Sequence, residues 1–367
     1  MRMVFINDGV ACNNIPDIST PLYSEYIPTV VSPGPRFVGP YSPPGSSVMM
    51  NRRDFLLTTA GAGAALGFAP RLLHALPQGA LLQRAIPSTG EKIPVIGLGS
   101  SATFASVARS EDVAALRAVF QAMVERGARV FDTAPGYGAS EAVAGTIVNE
   151  LGVATKLFWA TKVNVAGRGG MTADPAAARA QVEQSLARFA QPKIDLLQVH
   201  NMGDPPTQLK IAREFKQAGK VRYVGITTTF PNQYSALIDV MRNEPLDFIG
   251  VDYAADNRDV EETILPLAQE RKIAVLAYAP FGRTSLFRRA ANTPLPEWAR
   301  EFDATTYAQF FLKFCLSHPA ITAVTPATSQ AKNMIDNIGG GIGRVPTPAQ
   351  REQIIKFVDA LPPLPGR

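Results

Sequence analysis

The stretch ARVFDTAPGYGASEAVAGTIVNEL, residues 128–151, decides the fold. It begins as a short apolar run through Val130 and Phe131, and then turns through Gly, Pro and Ala. Ser140 next opens a segment with apolar residues at helical spacing. A strand that runs through a short turn into a helix is one βα unit, and the same unit recurs on both sides. Upstream, a Ser-Thr-Gly turn in LLQRAIPSTGEKIPVIGLG predicts a hairpin over 80–92 and a strand over 93–99. The helix EDVAALRAVFQAMVERG follows, stopped by Gly127. Downstream, the strands KLFWATKV, IDLLQVH, RYVGITT, LDFIGVDY, IAVLAYAP and ITAVTPAT each precede a helical pattern. In the third unit Asp174 caps the helix and Pro175 takes its first position. After IAVLAYAP a long Arg-containing loop precedes the helix ATTYAQFFLKFCLSH, and an amphipathic helix, TPAQREQIIKFVDAL, closes the chain.

Eight βα units with continuously apolar strands imply a parallel sheet buried on both faces. Over ~250 residues that predicts an α/β fold of the (β/α)8 TIM-barrel type. An open doubly wound sheet is disfavoured, because GLGSSATF lacks the G-x-G-x-x-G spacing of a Rossmann cofactor turn.

Composition narrows the function classes. Of 367 residues, 46% are hydrophobic and 18% charged, which suits a globular protein with a large core. The net charge of +5 is spread along the chain, so a nucleic-acid partner is not expected. Two cysteines, Cys12 and Cys315, and three histidines give no disulfide framework and no zinc pattern. Residues 1–48 are rich in Pro, Ser, Asn and Gly without periodicity and read as a disordered or artefactual extension. Residues 49–80 read as a signal segment: Arg52 and Arg53 precede Asp54-Phe55-Leu56-Leu57 and an apolar Ala/Gly-rich run. The pattern resembles a twin-arginine export signal. The run is roughly 15 residues, short of the ~20 of a membrane span. The expected location is therefore periplasmic or exported, with the twin-arginine machinery as a partner and the barrel over 81–367. A start at Met49 or Met50 would leave Cys315 as the one thiol of the mature chain, which suits an oxidising compartment.

In barrels of this type the chemistry gathers where strands end. The second strand ends at Asp132, Tyr137 follows in its loop, the third ends at Lys162 and the fourth at His200. A phenol titrates near pH ~10 and is a poor acid or base at neutrality. A buried Lys162 needs a counter-charge, which Asp132 supplies. The resulting cation beside Tyr137 favours the phenolate and makes the phenol usable for proton transfer. His200 is placed to orient a substrate oxygen.

These residues resemble the aldo-keto reductase family, whose motifs occur in order over roughly 83–347: IPVIGLGS, FDTAPGYGASE, ATKV, LLQVH, GKVRYVGIT, AYAPFG and TPATS. The resemblance implies hydride transfer between a nicotinamide and a carbonyl or alcohol carbon of a small molecule. It makes Tyr137 the proton donor or acceptor, Lys162 and Asp132 its tuning pair, and His200 the orienting residue. It also implies that the hairpin caps the barrel bottom.

For the cofactor, NADP or NAD, the resemblance implies Tyr278 against the nicotinamide and the loop Ala279 through Arg283, with Phe281, near the pyrophosphate. Arg288 or Arg289 could add charge there. The carboxamide clamp is altered, with Thr227-Thr228 replacing Ser-Asn and Gly250 replacing Gln. In TPATSQAKNMIDN, Thr328 and Ser329 fit, Asn337 fits an adenine contact, and Asn333 stands where the family has an Arg for the 2′-phosphate. Trp298 and Phe287 are candidates for an apolar substrate wall or, equally, for surface-loop packing. Two alternatives stay open on sequence: a nucleotide-binding barrel acting as sensor or partner subunit without turnover, and an NAD-dependent sugar dehydrogenase.

Overall fold

In a computed structural model that describes residues 79–110, 113–167 and 171–364, the chain enters through a hairpin. Gln83–Ala85 (β1) pairs antiparallel with Lys92–Pro94 (β2), with Arg84 opposite Ile93. The expected second hairpin strand therefore extends to Pro94, and the strand expected over 93–99 shortens to Leu98–Gly99 (β3). The cause is close approach on both sides. A Cβ on Gly97 would stand 2.7 Å from the Val130 carbonyl, and one on Gly99 would stand 2.6 Å from the Thr325 carbonyl. Only glycine lets these backbones meet.

The remaining strands are Val130–Asp132 (β4), Phe158–Val163 (β5), Ile194–Val199 (β6), Val221–Thr228 (β7), Phe248–Asp252 (β8), Ala274–Tyr278 (β9) and Ile321–Val324 (β10). They form one parallel sheet in the order β10-β9-β8-β7-β6-β5-β4-β3. The sheet closes on itself through parallel bridges from Ile96 to Val324 and from Gly99 to Ala327. The Gly97 amide donates to the Val324 carbonyl at 2.9 Å, and the Val324 amide to the Val95 carbonyl at 2.9 Å. This is the (β/α)8 barrel expected from the sequence.

Helices follow the strands, among them Ala114–Glu125, Ser140–Glu150, Pro175–Phe189, Pro205–Gln217, Tyr307–Ser317 and Ala331–Gly339, and Pro348–Asp359 is the extra C-terminal helix. Asp174 caps as expected, its Oδ1 accepting from the Ala176 amide at 2.9 Å. Ser140 does not cap its helix. Its hydroxyl donates back to the Tyr137 carbonyl at 2.8 Å and so closes the loop that carries that tyrosine. The loop after β9 is more ordered than expected. It holds a helix, Ser285–Ala290, anchored by buried Leu286 and Ala290 one turn apart. The extension and signal segments expected over 1–80 lie almost wholly outside the described residues.

Strand alternation separates two cores. One face of each strand packs against the helices, as Phe131 does against Phe120 at 5.1 Å between centroids. The other face fills the barrel with Val130, Phe158, Ala160, Leu196, Phe248, Ala274 and Leu276. Ile86 and Ile93 of the hairpin join this inner cluster, so β1 and β2 plug one end of the barrel.

Candidate active site

The same alternation chooses the residues at the open end. Two positions beyond Val130 on the inner face lies Asp132, beyond Ala160 Lys162, beyond Leu196 Gln198, beyond Phe248 Gly250 and beyond Leu276 Tyr278. Period two thus brings residues of five strands to one mouth, four of them with polar side chains.

Lys162 Nζ lies 2.5 Å from Asp132 Oδ1 and donates to the Thr133 carbonyl at 2.8 Å. Both side chains are nearly inaccessible, 1% and 5% exposed. Burial opposes the Lys162 ammonium, but Asp132 and then Tyr137 outweigh it and hold the lysine above its ordinary range. Nζ also sits 5.1 Å from the Tyr137 ring centroid. The Tyr137 hydroxyl lies 3.5 Å from His200 Nε2, with the two rings edge to face. All four residues expected from the sequence therefore meet, and Tyr137 and His200 remain half-buried while the ion pair below them is dry.

Two supports were not read from the sequence. Gln198 Nε2 donates to Asp132 Oδ2 at 3.2 Å. Glu141, buried just after the Tyr137 loop, accepts from Thr161 Oγ1 at 2.6 Å, Ser185 Oγ at 2.9 Å and Arg188 Nη1 at 2.8 Å. It pins that loop to β5 and to the next helix. The signals were present: Gln198 falls on the inner face of LLQVH, and Glu141 is a lone acid in an otherwise apolar helix start.

The cofactor residues are partly committed elsewhere. Thr227 Oγ1 accepts from the Asn201 amide at 3.3 Å, and Thr228 Oγ1 donates to Gln233 Oε1 at 2.5 Å. Thr328 Oγ1 accepts from the Gln330 amide at 3.1 Å. Arg283 pairs with Asp252 at 2.9 Å with its side chain 62% exposed, on a strained turn where Ala279, Arg283 and Thr284 all have positive φ. Burial raises the Asp252 carboxyl above its ordinary range while Arg283 pulls it back. Phe281 packs on Phe287 at 4.8 Å. Ser329 is half-buried and Asn333 exposed at the start of the helix Ala331–Gly339.

The mouth nonetheless fits a polar ligand. Ser100, Thr133 and Thr325, just past β3, β4 and β10, have buried hydroxyls without partners among the described residues. Asn337, on the helix Ala331–Gly339, is 3% exposed. The free hydroxyls suit a nicotinamide nucleotide laid along the strand ends.

One expectation is corrected. Arg289 does not face the cofactor region: it donates to the carbonyls of Val358 at 2.8 Å and Leu361 at 3.0 Å, tying down the C-terminal helix. Trp298 and Phe287, both half-buried, make the contacts of the packing alternative. Trp298 stacks among Phe302, Phe310 and Phe357, and Phe287 between Phe281 and Phe311, because the aromatic-rich helix Tyr307–Ser317 offers them a larger apolar surface.

A polar cavity of about 320 Å³ opens beside His200, lined by Pro135, Gly136, Asn164, Gln181, Gln184 and Arg188. A larger cleft of about 480 Å³ includes Val224, Asp247 and Ile273 at the opposite ends of the strands. Four of its charges are paired, as Arg213–Glu244 and Lys216–Asp247, and Arg271 is the remaining cation of its lining.

Residues 95–341 match the model of the aldo/keto reductase family. Aldo-keto reductase YhdN of Bacillus subtilis (strain 168) is 30% identical over 207 residues, which are 54% of this chain and 61% of that protein. This chain thus spans less than two thirds of that relative. Among solved structures, the holo form of an aldo-keto reductase from Bacillus halodurans superposes with a TM-score of 0.60 at 24% identity. It covers 76% of this chain and 96% of that one. An aldo/keto reductase from Klebsiella pneumoniae, in complex with NADP and acetate, gives a TM-score of 0.59 at 23% identity, over 76% of this chain and 94% of that one.

Proposed function

Since this chain belongs to the aldo/keto reductase family, we propose that it is an NAD(P)-dependent oxidoreductase interconverting a carbonyl and an alcohol on a small molecule. The observation that supports this most directly is the dry Lys162–Asp132 pair at 2.5 Å against Tyr137, with the Tyr137 hydroxyl 3.5 Å from His200. A bound nicotinamide would supply the hydride to the carbonyl carbon, or take it from the alcohol.

The chain's own residues handle the proton. As the carbonyl oxygen gains negative charge, the Tyr137 hydroxyl gives it a proton and becomes phenolate. Lys162, held cationic by Asp132, stabilises that phenolate electrostatically. His200 orients the same oxygen. In the opposite direction Tyr137 takes the alcohol proton as hydride leaves the carbon. The buried pair is screened by salt and water far less than an exposed one would be.

Tyr137→Phe tests the assignment. Turnover should fall by about 10²–10⁴-fold, while nucleotide binding, followed by fluorescence, stays within about twofold of the unmutated protein. Turnover retained in that variant would remove Tyr137 from its role.

For the cofactor we favour NADP(H), on the NADP complex of the Klebsiella pneumoniae relative. Asn333 in place of an arginine should make the preference over NAD(H) small. A parallel fluorescence titration with both nucleotides measures it, and tighter NAD(H) binding would reverse the choice.

The twin-arginine pattern at Arg52 and Arg53 leads us to propose export of the folded, nucleotide-loaded protein. Lys at both positions should retain the protein in the cytoplasmic fraction. Rapid loss of nucleotide on dialysis of periplasm-purified protein would overturn the loaded state.

A further inference from the structure

Gly250 is buried on β8 at the position where the sequence departs from the family's Gln. A Cβ there would stand 2.3 Å from Tyr278 Cε2, 2.6 Å from its Cζ and 2.5 Å from its hydroxyl. No real side chain tolerates such distances, so Tyr278 holds its seat only because residue 250 is glycine. From that seat its hydroxyl reaches Asp132 Oδ2 at 3.1 Å and Gln198 Oε1 at 3.2 Å. Gln198 in turn donates to the same Oδ2 at 3.2 Å. Lys162 occupies the other oxygen, Oδ1. The carboxylate is thus held on one side by a cation and on the other by the Gln198 amide and the Tyr278 hydroxyl, whose single proton is shared between Oδ2 and Gln198 Oε1. Lys162 Nζ lies between two phenol rings, 5.1 Å from the Tyr137 centroid and 5.3 Å from that of Tyr278.

We propose that Gly250 and Tyr278 are a matched pair, and that Tyr278, with Gln198, is a positioning residue that holds the second oxygen of Asp132 and so sets the field Lys162 exerts on Tyr137. This rests on the reading of Asp132, Tyr137, Lys162 and His200 as the catalytic set.

The two tyrosines differ in what surrounds them. Burial first, and then the charges of Asp132 and Tyr137, push Tyr278 well above the ordinary tyrosine range, so it stays a fixed donor. Tyr137 is the half-buried phenol that faces His200. When a donor to Oδ2 is lost, the freed charge of Asp132 falls more heavily on Lys162. The lysine then favours the Tyr137 phenolate less, and alcohol oxidation, which needs that phenolate, requires higher pH.

The test is steady-state alcohol oxidation across pH, alongside fluorescence titration of nucleotide, on the full chain. Tyr278→Phe keeps the ring and removes only the hydroxyl. It should lower kcat about tenfold, move the rising limb of the pH profile to higher pH, and leave nucleotide Kd and substrate KM within about twofold. Gly250→Ala should expel Tyr278 and shift the profile the same way. The double variant should be no worse than the poorer single, because both remove one interaction. An unshifted profile in Tyr278→Phe overturns the proposal, as do losses that add in the double variant. Should Gly250→Ala fail to fold, Tyr278→Phe decides alone. Tyr137→Phe in the same assay separates the two readings. If it retains turnover, the catalytic set itself is misassigned. If it is inactive while Tyr278→Phe matches the unmutated protein, only the pairing fails.

Discussion

Lys162→Met removes the cation from a site that cannot rehydrate, and its cost can be worked from the contacts. The pair is 1% and 5% exposed, so Asp132 would remain as a buried carboxylate. Breaking a buried pair by deleting one partner costs about 3–5 kcal/mol. Asp132 keeps Gln198 at 3.2 Å and Tyr278 at 3.1 Å as neutral donors, which places the loss at the lower end, about 3 kcal/mol. For a chain of this size that lowers Tm by roughly 4–5 °C. Asp132→Asn leaves Lys162 with the Thr133 carbonyl at 2.8 Å and no counter-ion. Burial, already the largest influence on that lysine, then acts against the ammonium without a carboxylate to oppose it. The double variant Asp132→Asn with Lys162→Met carries no buried charge. It should regain about 2 kcal/mol or more over either single variant, while all three lose about 10²–10⁴-fold in turnover. The assays are thermal unfolding and nicotinamide absorbance with a carbonyl panel. The sign with pH also follows. Lys162 is held above its ordinary 10.5, so the pair contributes fully at neutral pH and is lost only as pH climbs through the lysine's raised value. Singles that lose less than about 1 kcal/mol, or a double variant no more stable than they are, would refute the reasoning.

Lys313 offers the opposite sign. Burial pulls its ammonium from 10.5 to about 8, where Nζ donates to the Ile342 and Arg344 carbonyls. The unfolded chain holds that proton longer as pH rises, so its contribution to stability increases from about pH 8 to 10.5, by roughly 1–3 kcal/mol. Lys313→Met should flatten this rise in denaturant titrations across that range, and an unchanged slope would remove the cause. Gly145→Ala would put a Cβ 2.1 Å from the Arg188 carbonyl and push apart the two helices joined by Glu141 and Arg188. A loss of about 2–3 kcal/mol is expected by thermal unfolding. Trp298→Ala should cost about 2–3 kcal/mol while kcat/KM stays unchanged, since its ring meets Phe310 at 5.6 Å and Phe357 at 6.1 Å and no reacting group. A change confined to KM would return Trp298 to the substrate wall.

The barrel and the Asp132, Tyr137, Lys162 and His200 set were legible because both depend on local patterns: apolar runs ending in one polar residue, eight times over. Features that depend on contacts between strands far apart in sequence were not. The shortening of β3 follows from the approach of Val130 and Thr325 to Gly97 and Gly99, which no window of sequence contains. Arg289 read as a basic loop residue because its acceptors, the Val358 and Leu361 carbonyls, lie 69 and 72 residues away. Trp298 read equally as a pocket or a packing residue because the aromatics that cover it come from two other helices.

Gly250 shows how the same limit can invert a reading. Taken along the sequence, a glycine where the family has Gln is a missing contact. Taken across the barrel, it is the space that the Tyr278 ring fills. The substitution removes an amide at one strand and lets a phenol from the next strand reach the Asp132 carboxylate, 146 residues away in the chain. Its meaning therefore depends on residue 278 being aromatic. With a small side chain at that position the same glycine would leave a void beneath Asp132, costing stability in proportion to the space left empty. The two positions can be understood only together, and a change at either one should be read through its effect on Asp132.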